Sequence, residues 1–167
     1  YPKDGETKVE LMKNADIAMY EAKKLGRNQY HFFTETLNET VQNAILLNRN
    51  MRLALENDEY ELFYQPKVDL ETSEITSVEA LIRWRTPEDG IINPDSFIQL
   101  AEDNNFIQEL GVWIIDEAIR QYVDWRKRNI DIAISINISA KQLLKPDFAE
   151  KLISKLRTNH INPSKID

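Results

Sequence analysis

The run Ile130-Asp131-Ile132-Ala133-Ile134-Ser135-Ile136-Asn137-Ile138-Ser139 constrains the fold more than any other stretch. Successive strand side chains point to opposite faces, so Ile132, Ile134, Ile136 and Ile138 share one face and Ala133, Ser135, Asn137 and Ser139 the other. Four isoleucines demand a covering layer. Two amphipathic helical patterns precede the strand, between Phe97 and Trp125, and one follows it from Phe148 to Leu156. This order predicts a parallel sheet with helices over its apolar face. The small polar face then lines an interior that tolerates polar atoms, as in a barrel with its site at the C-terminal strand ends, where Asn137 lies.

The same alternation marks Val78-Glu79-Ala80-Leu81-Ile82-Arg83-Trp84. Here Val78, Ala80, Ile82 and Trp84 form the apolar face, and Glu79, Leu81 and Arg83 point the other way. One reading is a half-exposed strand with a solvated ion pair that contributes little. The other is an acid and a base close enough to act on different atoms of one bound anion. Tyr60 to Val68 is a second strand, and Asp69 to Ser73 a turn, which predicts an antiparallel hairpin with Pro66 on an edge.

Beyond Trp84, Pro87-Glu88-Asp89-Gly90 predicts a turn and Asn93-Pro94-Asp95-Ser96 offers several caps for a helix near Phe97. That helix breaks at Asp103-Asn104-Asn105. Leu110, Trp113, Ile114, Ala118, Tyr122 and Trp125 then recur at helical spacing, with their aromatics as packing groups. The last helix enters through Pro146-Asp147 and is expected to end at Asn162-Pro163.

At the start, Tyr1-Pro2-Lys3-Asp4-Gly5 is turn-rich, and Thr7-Lys8-Val9-Glu10 is a capping box for a helix carrying Leu11, Ala15, Ala18, Met19 and Ala22. Gly26 closes it as a left-handed cap. Gln29 to Phe33 reads as a short strand. A second capping box, Thr36-Leu37-Asn38-Glu39, opens a helix carrying Leu37, Val41, Ala44, Ile45, Met51 and Leu55, stopped by Asn57-Asp58 and suited to a semi-rigid linker. Lys23 and Arg27 either complement the dipole of the first helix or clamp phosphates.

Composition narrows the function. The 167 residues are 42% hydrophobic, enough for a globular core, and carry a formal net charge of −7. That balance argues against broad binding of nucleic acid polymers or anionic membranes, so a phosphate-bearing ligand needs a local basic cluster or metal ions. With no cysteine, disulfides, thiolate metal sites and a cysteine nucleophile are excluded. No apolar run reaches the roughly 20 residues of a membrane span. A cytoplasmic location is expected, with any membrane anchor left to an upstream region. His31 and His160 are isolated and receive no catalytic assignment.

Two family resemblances follow. Tyr1-Pro2, Asp4-Gly5, Leu11, Ala15-Asp16, Ala18-Met19-Tyr20, Ala22-Lys23 and Gly26-Arg27-Asn28 resemble the closing segment of a GGDEF domain, the diguanylate cyclase family. That resemblance implies GTP phosphate contacts at Lys23 and Arg27, with the signature motif upstream of Tyr1 and no cyclase activity here. Tyr64-Gln65-Pro66, Glu79-Ala80-Leu81-Ile82-Arg83-Trp84, Pro94, Phe97-Ile98, Ala101-Glu102, Asn137-Ile138-Ser139 and Gln142 resemble the EAL family of cyclic di-GMP phosphodiesterases.

The EAL resemblance implies an α/β fold, the first part of a modified (β/α)8 barrel with an antiparallel first strand. It implies Glu79 and Asn137 as catalytic Mg²⁺ or Mn²⁺ ligands, and Gln65, Leu81 and Arg83 against the cyclic dinucleotide. The chemistry implied is two-metal hydrolysis to linear pGpG. The expected organisation is a GGDEF segment over 1–35, a linker helix over 36–58 and an incomplete EAL domain over 59–167. A later glutamate, an aspartate pair and a lysine of the family pattern would follow Asp167, so the segment alone is expected to lack activity. A homodimer through the EAL domain is a further expectation. The alternative is a non-catalytic sensor that binds cyclic di-GMP or GTP and regulates a partner.

Overall fold

The computed structural model describes residues 3–87 and 90–167, with the backbone alone at Lys24. The opening Tyr1-Pro2 and the Glu88-Asp89 part of the expected turn lie outside the described residues. The chain divides into two compact units, Tyr1–Asn50 and Met51–Asp167.

In the first unit, α1 spans Lys8–Lys24 and starts on the expected capping box. Thr7 accepts from the Glu10 backbone, and the Glu10 carboxylate accepts from the Thr7 backbone. The helix closes on Gly26 at φ 107°, with Arg27 N–H donating to Ala22 O and Gly26 N–H to Lys23 O, a Schellman closure. Gln29 to Phe33 is not a strand, because none of the described strands pairs with it and an extended segment without a ladder partner is coil. Helix α2 (Glu35–Glu56) begins earlier than its expected box: Thr34 Oγ1 accepts from Leu37 N–H at 3.1 Å, leaving Thr36 inside the first turn. Ile45 is exposed.

The second unit takes in the end of α2 from Met51, and the helix stops at Asn57-Asp58, with Asp58 at φ 56° and Glu59 N–H closing onto Ala54 O. Strands β1 (Tyr60–Val68) and β2 (Ile75–Thr86) form the antiparallel hairpin. Its loop is held by Asp69, whose carboxylate accepts from the backbone of Glu71 and Thr72, both at 2.9 Å. β1 is an edge strand, which accommodates Pro66.

The other edge of β2 is shared. A short strand, β3 (Gly90–Ile92), pairs antiparallel with Trp84–Thr86, and β4 (Ala133–Ile136) pairs parallel with Ser77–Ala80. Helices α3 (Ile98–Asp103) and α4 (Ile107–Lys127) form the crossover between them, after a 3₁₀ turn at Pro94–Ser96. After β4 come α5 (Ala140–Leu143) and α6 (Phe148–Thr158). α6 ends before Asn162-Pro163, because His160 at φ 54° and Ile161 N–H bonding to Leu156 O turn the chain earlier.

The apolar faces of β2 and β4 meet α4 and α6 in one core containing Val78, Ala80, Ile115, Ile119, Ile134 and Leu156. Trp84, Phe97, Phe106, Met51 and Leu110 are also fully buried. Arg52 fixes the end of α2, pairing with Glu109 at 2.9 Å and lying over the Phe106 ring. These contacts leave the opposite, polar face of β2 open for ligands.

Candidate functional site

β2 alternates as its side chains dictate, with Val78, Ala80, Ile82 and Trp84 buried and Glu79, Leu81 and Arg83 partly exposed on the other face. Register carries that face across the sheet. Gln65 lies opposite Glu79, Phe63 opposite Leu81, and Ser135 beside Glu79 on the parallel side. Lys67 reaches across β2 to donate from Nζ to Ser135 Oγ at 2.9 Å. Gln65 itself is exposed.

Asn137 follows β4 immediately, and its Nδ2 donates to Glu79 Oε1 at 2.8 Å. Two residues 58 apart in sequence thus meet at adjacent strand positions. Among the described strands, Leu81–Arg83 pair on the β1 side alone, since β4 stops at the level of Ala80 and β3 starts at Trp84. At this gap Leu81, Ile82 and Arg83 help line a cavity of about 270 Å³ with Pro94, Glu102 and Asn137.

Arg83 forms no ion pair with Glu79 among the described residues. Its Nη1 donates to Ile82 O at 2.8 Å, and its guanidinium lies 5.6 Å from the centre of the Phe63 ring. A guanidinium has five N–H donors, so this anchoring leaves others for an anion in the cavity. The Phe63 ring adds a cation–π contact to that anchoring.

The turn after β4 is tied down from three sides. Ser139 caps α5 and its Oγ donates to Glu102 Oε1 at 2.6 Å. Lys141 Nζ donates to Glu102 O at 2.5 Å, and Gln108 Nε2 to Lys141 O at 2.8 Å. Gln142, 3% exposed, accepts from Ser139 N–H through Oε1 at 3.1 Å.

Glu79 and Asn137 each carry a hard oxygen, and the two side chains meet through Asn137 Nδ2, a pairing that suits Mg²⁺ or Mn²⁺ rather than zinc. The pair fits such an ion as part of a ligand set. Among the described residues no group of three or more His, Asp or Glu gathers to complete one. Lys23 and Arg27 belong to the first unit, both exposed, with Arg27 beyond the helix end at φ 62°.

A family model described as the EAL domain matches residues 48–166. The chain belongs to the EAL domain family. Among curated relatives, it is 42% identical over 142 residues to the cyclic di-GMP phosphodiesterase PdeR of Escherichia coli K12, covering 85% of this chain and 21% of that protein. It is 41% identical over 165 residues to the bifunctional diguanylate cyclase/cyclic di-GMP phosphodiesterase MucR of Pseudomonas aeruginosa, covering 98% of this chain and 24% of that one. The chain therefore spans a fifth to a quarter of these relatives.

Solved EAL structures share the fold. The MucR phosphodiesterase in complex with c-di-GMP superposes with a TM-score of 0.69 at 35% identity, covering 72% of this chain and 49% of that one. The EAL enzyme Bd1971, with cAMP and cyclic-di-GMP bound, gives a TM-score of 0.70 at 29% identity over 98% of this chain and 43% of that one. The α/β fold with its mixed sheet is thus that of EAL domains.

Several residues of this EAL site received no role from the sequence. Glu102, Ser139 and Gln142 entered only as carriers of the resemblance, although Ser139-Ala140-Lys141-Gln142 is itself a legible capping box. Lys67 was not singled out, although it lies two residues from Gln65 on one strand face.

Proposed function

We propose that the chain is part of a phosphodiesterase that hydrolyses cyclic di-GMP to linear pGpG with Mg²⁺ or Mn²⁺. The observation that carries this reading is the Asn137–Glu79 contact of 2.8 Å beside the cavity that Arg83 and Leu81 line. It is supported by relatives named as cyclic di-GMP phosphodiesterases and by EAL structures described with that dinucleotide bound.

In this reading Glu79 and Asn137 hold the divalent cations through side-chain oxygens. The ions, in a two-metal arrangement, supply a lowered water pKa and neutralisation of charge at phosphorus. Arg83, anchored on Ile82 O and Phe63, donates to a phosphate oxygen. Leu81 and Gln65 flank the dinucleotide on β2 and β1. Water adds to one phosphorus as its bond to the 3′ oxygen breaks, opening the ring to a 5′-phosphate and a 3′-hydroxyl.

The first 35 residues are read as the closing segment of a GGDEF domain, with Lys23 and Arg27 as GTP phosphate contacts, and 36–58 as the linker to an EAL domain over 59–167. In this reading Glu79 and Asn137 are part of a larger ligand set, and the segment alone is inactive. The parent is placed in the cytoplasm and dimerises through its EAL domain. No described helix is long and apolar enough to cross a membrane.

The test is hydrolysis of cyclic di-GMP by the full-length protein with and without Mg²⁺. Linear pGpG formed only with the ion supports the reading. Binding without turnover supports a non-catalytic sensor instead.

A further inference from the structure

Asn137 stands between two fixed points. On one side Ile136 is locked into the sheet, opposite Ala80 and donating its N–H to Asp167 O at 2.7 Å. On the other side Ser139 is held by its hydroxyl to Glu102 and by its N–H to buried Gln142. Only Asn137 and Ile138 lie between. The direction in which the exposed Asn137 amide points therefore depends on where Ser139 is pinned.

Glu102 is the pin. It receives the Ser139 hydroxyl at 2.6 Å on its side chain and the Lys141 ammonium on its carbonyl, so one residue of α3 holds both the cap and the second residue of α5. No other acceptor for Ser139 Oγ is present among the described residues.

We propose that Glu102 is a positioning residue for Asn137, acting through Ser139 to aim the amide at the position it shares with the Glu79 carboxylate. This rests on the reading of Asn137 as a cation ligand. Outer partners of this kind orient a ligand without touching the ion, and their loss lowers metal affinity because the ligand must then be ordered on binding.

The experiment uses the full-length protein and Mn²⁺ alone as the probe, with affinity read from the free-ion EPR signal and folding checked by thermal unfolding. Glu102→Ala is expected to weaken Mn²⁺ binding about 10- to 100-fold. Glu102→Gln keeps an acceptor for Ser139 and is expected to restore most of that loss. In an Asn137→Ala background, Glu102→Ala is expected to add nothing, because its effect runs through the missing amide. If Glu102→Ala does not fold, Ser139→Ala, which removes the donor to Glu102 together with the α5 cap, carries the same comparison.

An additive loss in the Asn137→Ala background, or a Glu102→Gln protein as weak as Glu102→Ala, overturns the proposal. Unchanged Mn²⁺ binding in Glu79→Ala overturns the underlying site whatever Glu102 does. Absence of cyclic di-GMP hydrolysis overturns the proposed reaction alone, since the Mn²⁺ measurement does not depend on turnover.

Discussion

The amide of Gln142 packs against the bare Cα of Gly111, where a β-carbon would sit 1.9 Å from Nε2 and 2.6 Å from Cδ. A buried polar side chain on α5 thus occupies space that α4 provides only by having glycine there. Gly111→Ala would ordinarily gain up to about 1 kcal/mol in helix propensity. Here it must expel Gln142 and break its bond to Ser139 N–H, so a net loss of about 1 to 3 kcal/mol is expected from the shift in urea midpoint.

Two tyrosine hydroxyls make contrasting predictions. Tyr60 Oη donates to Met51 O at 3.1 Å, whereas the buried Tyr64 Oη has no partner among the described residues. Burial, as the larger cause, pushes both phenols well above their ordinary range. Tyr60→Phe is expected to cost about 1 kcal/mol, because it removes a buried hydrogen bond. Tyr64→Phe is expected to be neutral or slightly stabilising, and paired thermal unfolding curves distinguish the two.

Asp131 accepts from Tyr122 Oη at 2.8 Å and pairs with Lys165 at 2.9 Å. The Lys165 hydrogen bond, then that from Tyr122, holds its carboxyl below the ordinary value of 3.8. A depressed folded-state value means that folding favours the carboxylate. Its contribution is present above pH 3.8 and lost as pH falls through the lowered value. Asp131→Asn is expected to flatten the acid limb of stability, measured as urea midpoints from about pH 6 to about pH 2.

Lys67 places an ammonium on the same face as Glu79 and Gln65, bonded to Ser135. Lys67→Met keeps the aliphatic reach and removes the charge. In the full-length protein this is expected to weaken cyclic di-GMP binding by about threefold to tenfold with a shallower salt dependence, as loss of one exposed cation near a dianion requires. Isothermal titration at two salt concentrations checks it.

The alternations over Val78–Trp84 and Ile132–Ile138 showed which face of each strand was buried, because a two-residue period leaves no other way to hide four apolar side chains. A capping box located Thr7, and Asn57-Asp58 marked the stop of α2. Beyond the β1–β2 hairpin and a parallel strand, sequence did not show how far each strand pairs. The strand at β4 is four residues long, not ten, because it pairs with β2 only from Ser77 to Ala80. Strand β3 is too short to carry a period of its own, and Gln29–Phe33 has strand-like composition without a ladder partner.

At the site, Glu79 and Arg83 sat two steps apart on one face, but their partners lie elsewhere: an amide from beyond β4 for one, a carbonyl and a ring for the other. Such partners are set by crossovers of dozens of residues, and no local pattern records them. The buried Gln142 was equally illegible, since its burial depends on a glycine 31 positions earlier in another helix.

The central claim is that the Glu79 carboxylate and the Asn137 amide jointly hold the cation that acts on a phosphodiester. Its most direct measurement is the Mg²⁺ dependence of cyclic di-GMP hydrolysis by the full-length protein and by Glu79→Gln, which keeps the size of the side chain and removes its charge. The account predicts a fall in turnover of at least about a hundredfold, only partly recovered by raising Mg²⁺. Glu79→Gln turnover and Mg²⁺ dependence equal to those of the unaltered protein would contradict it.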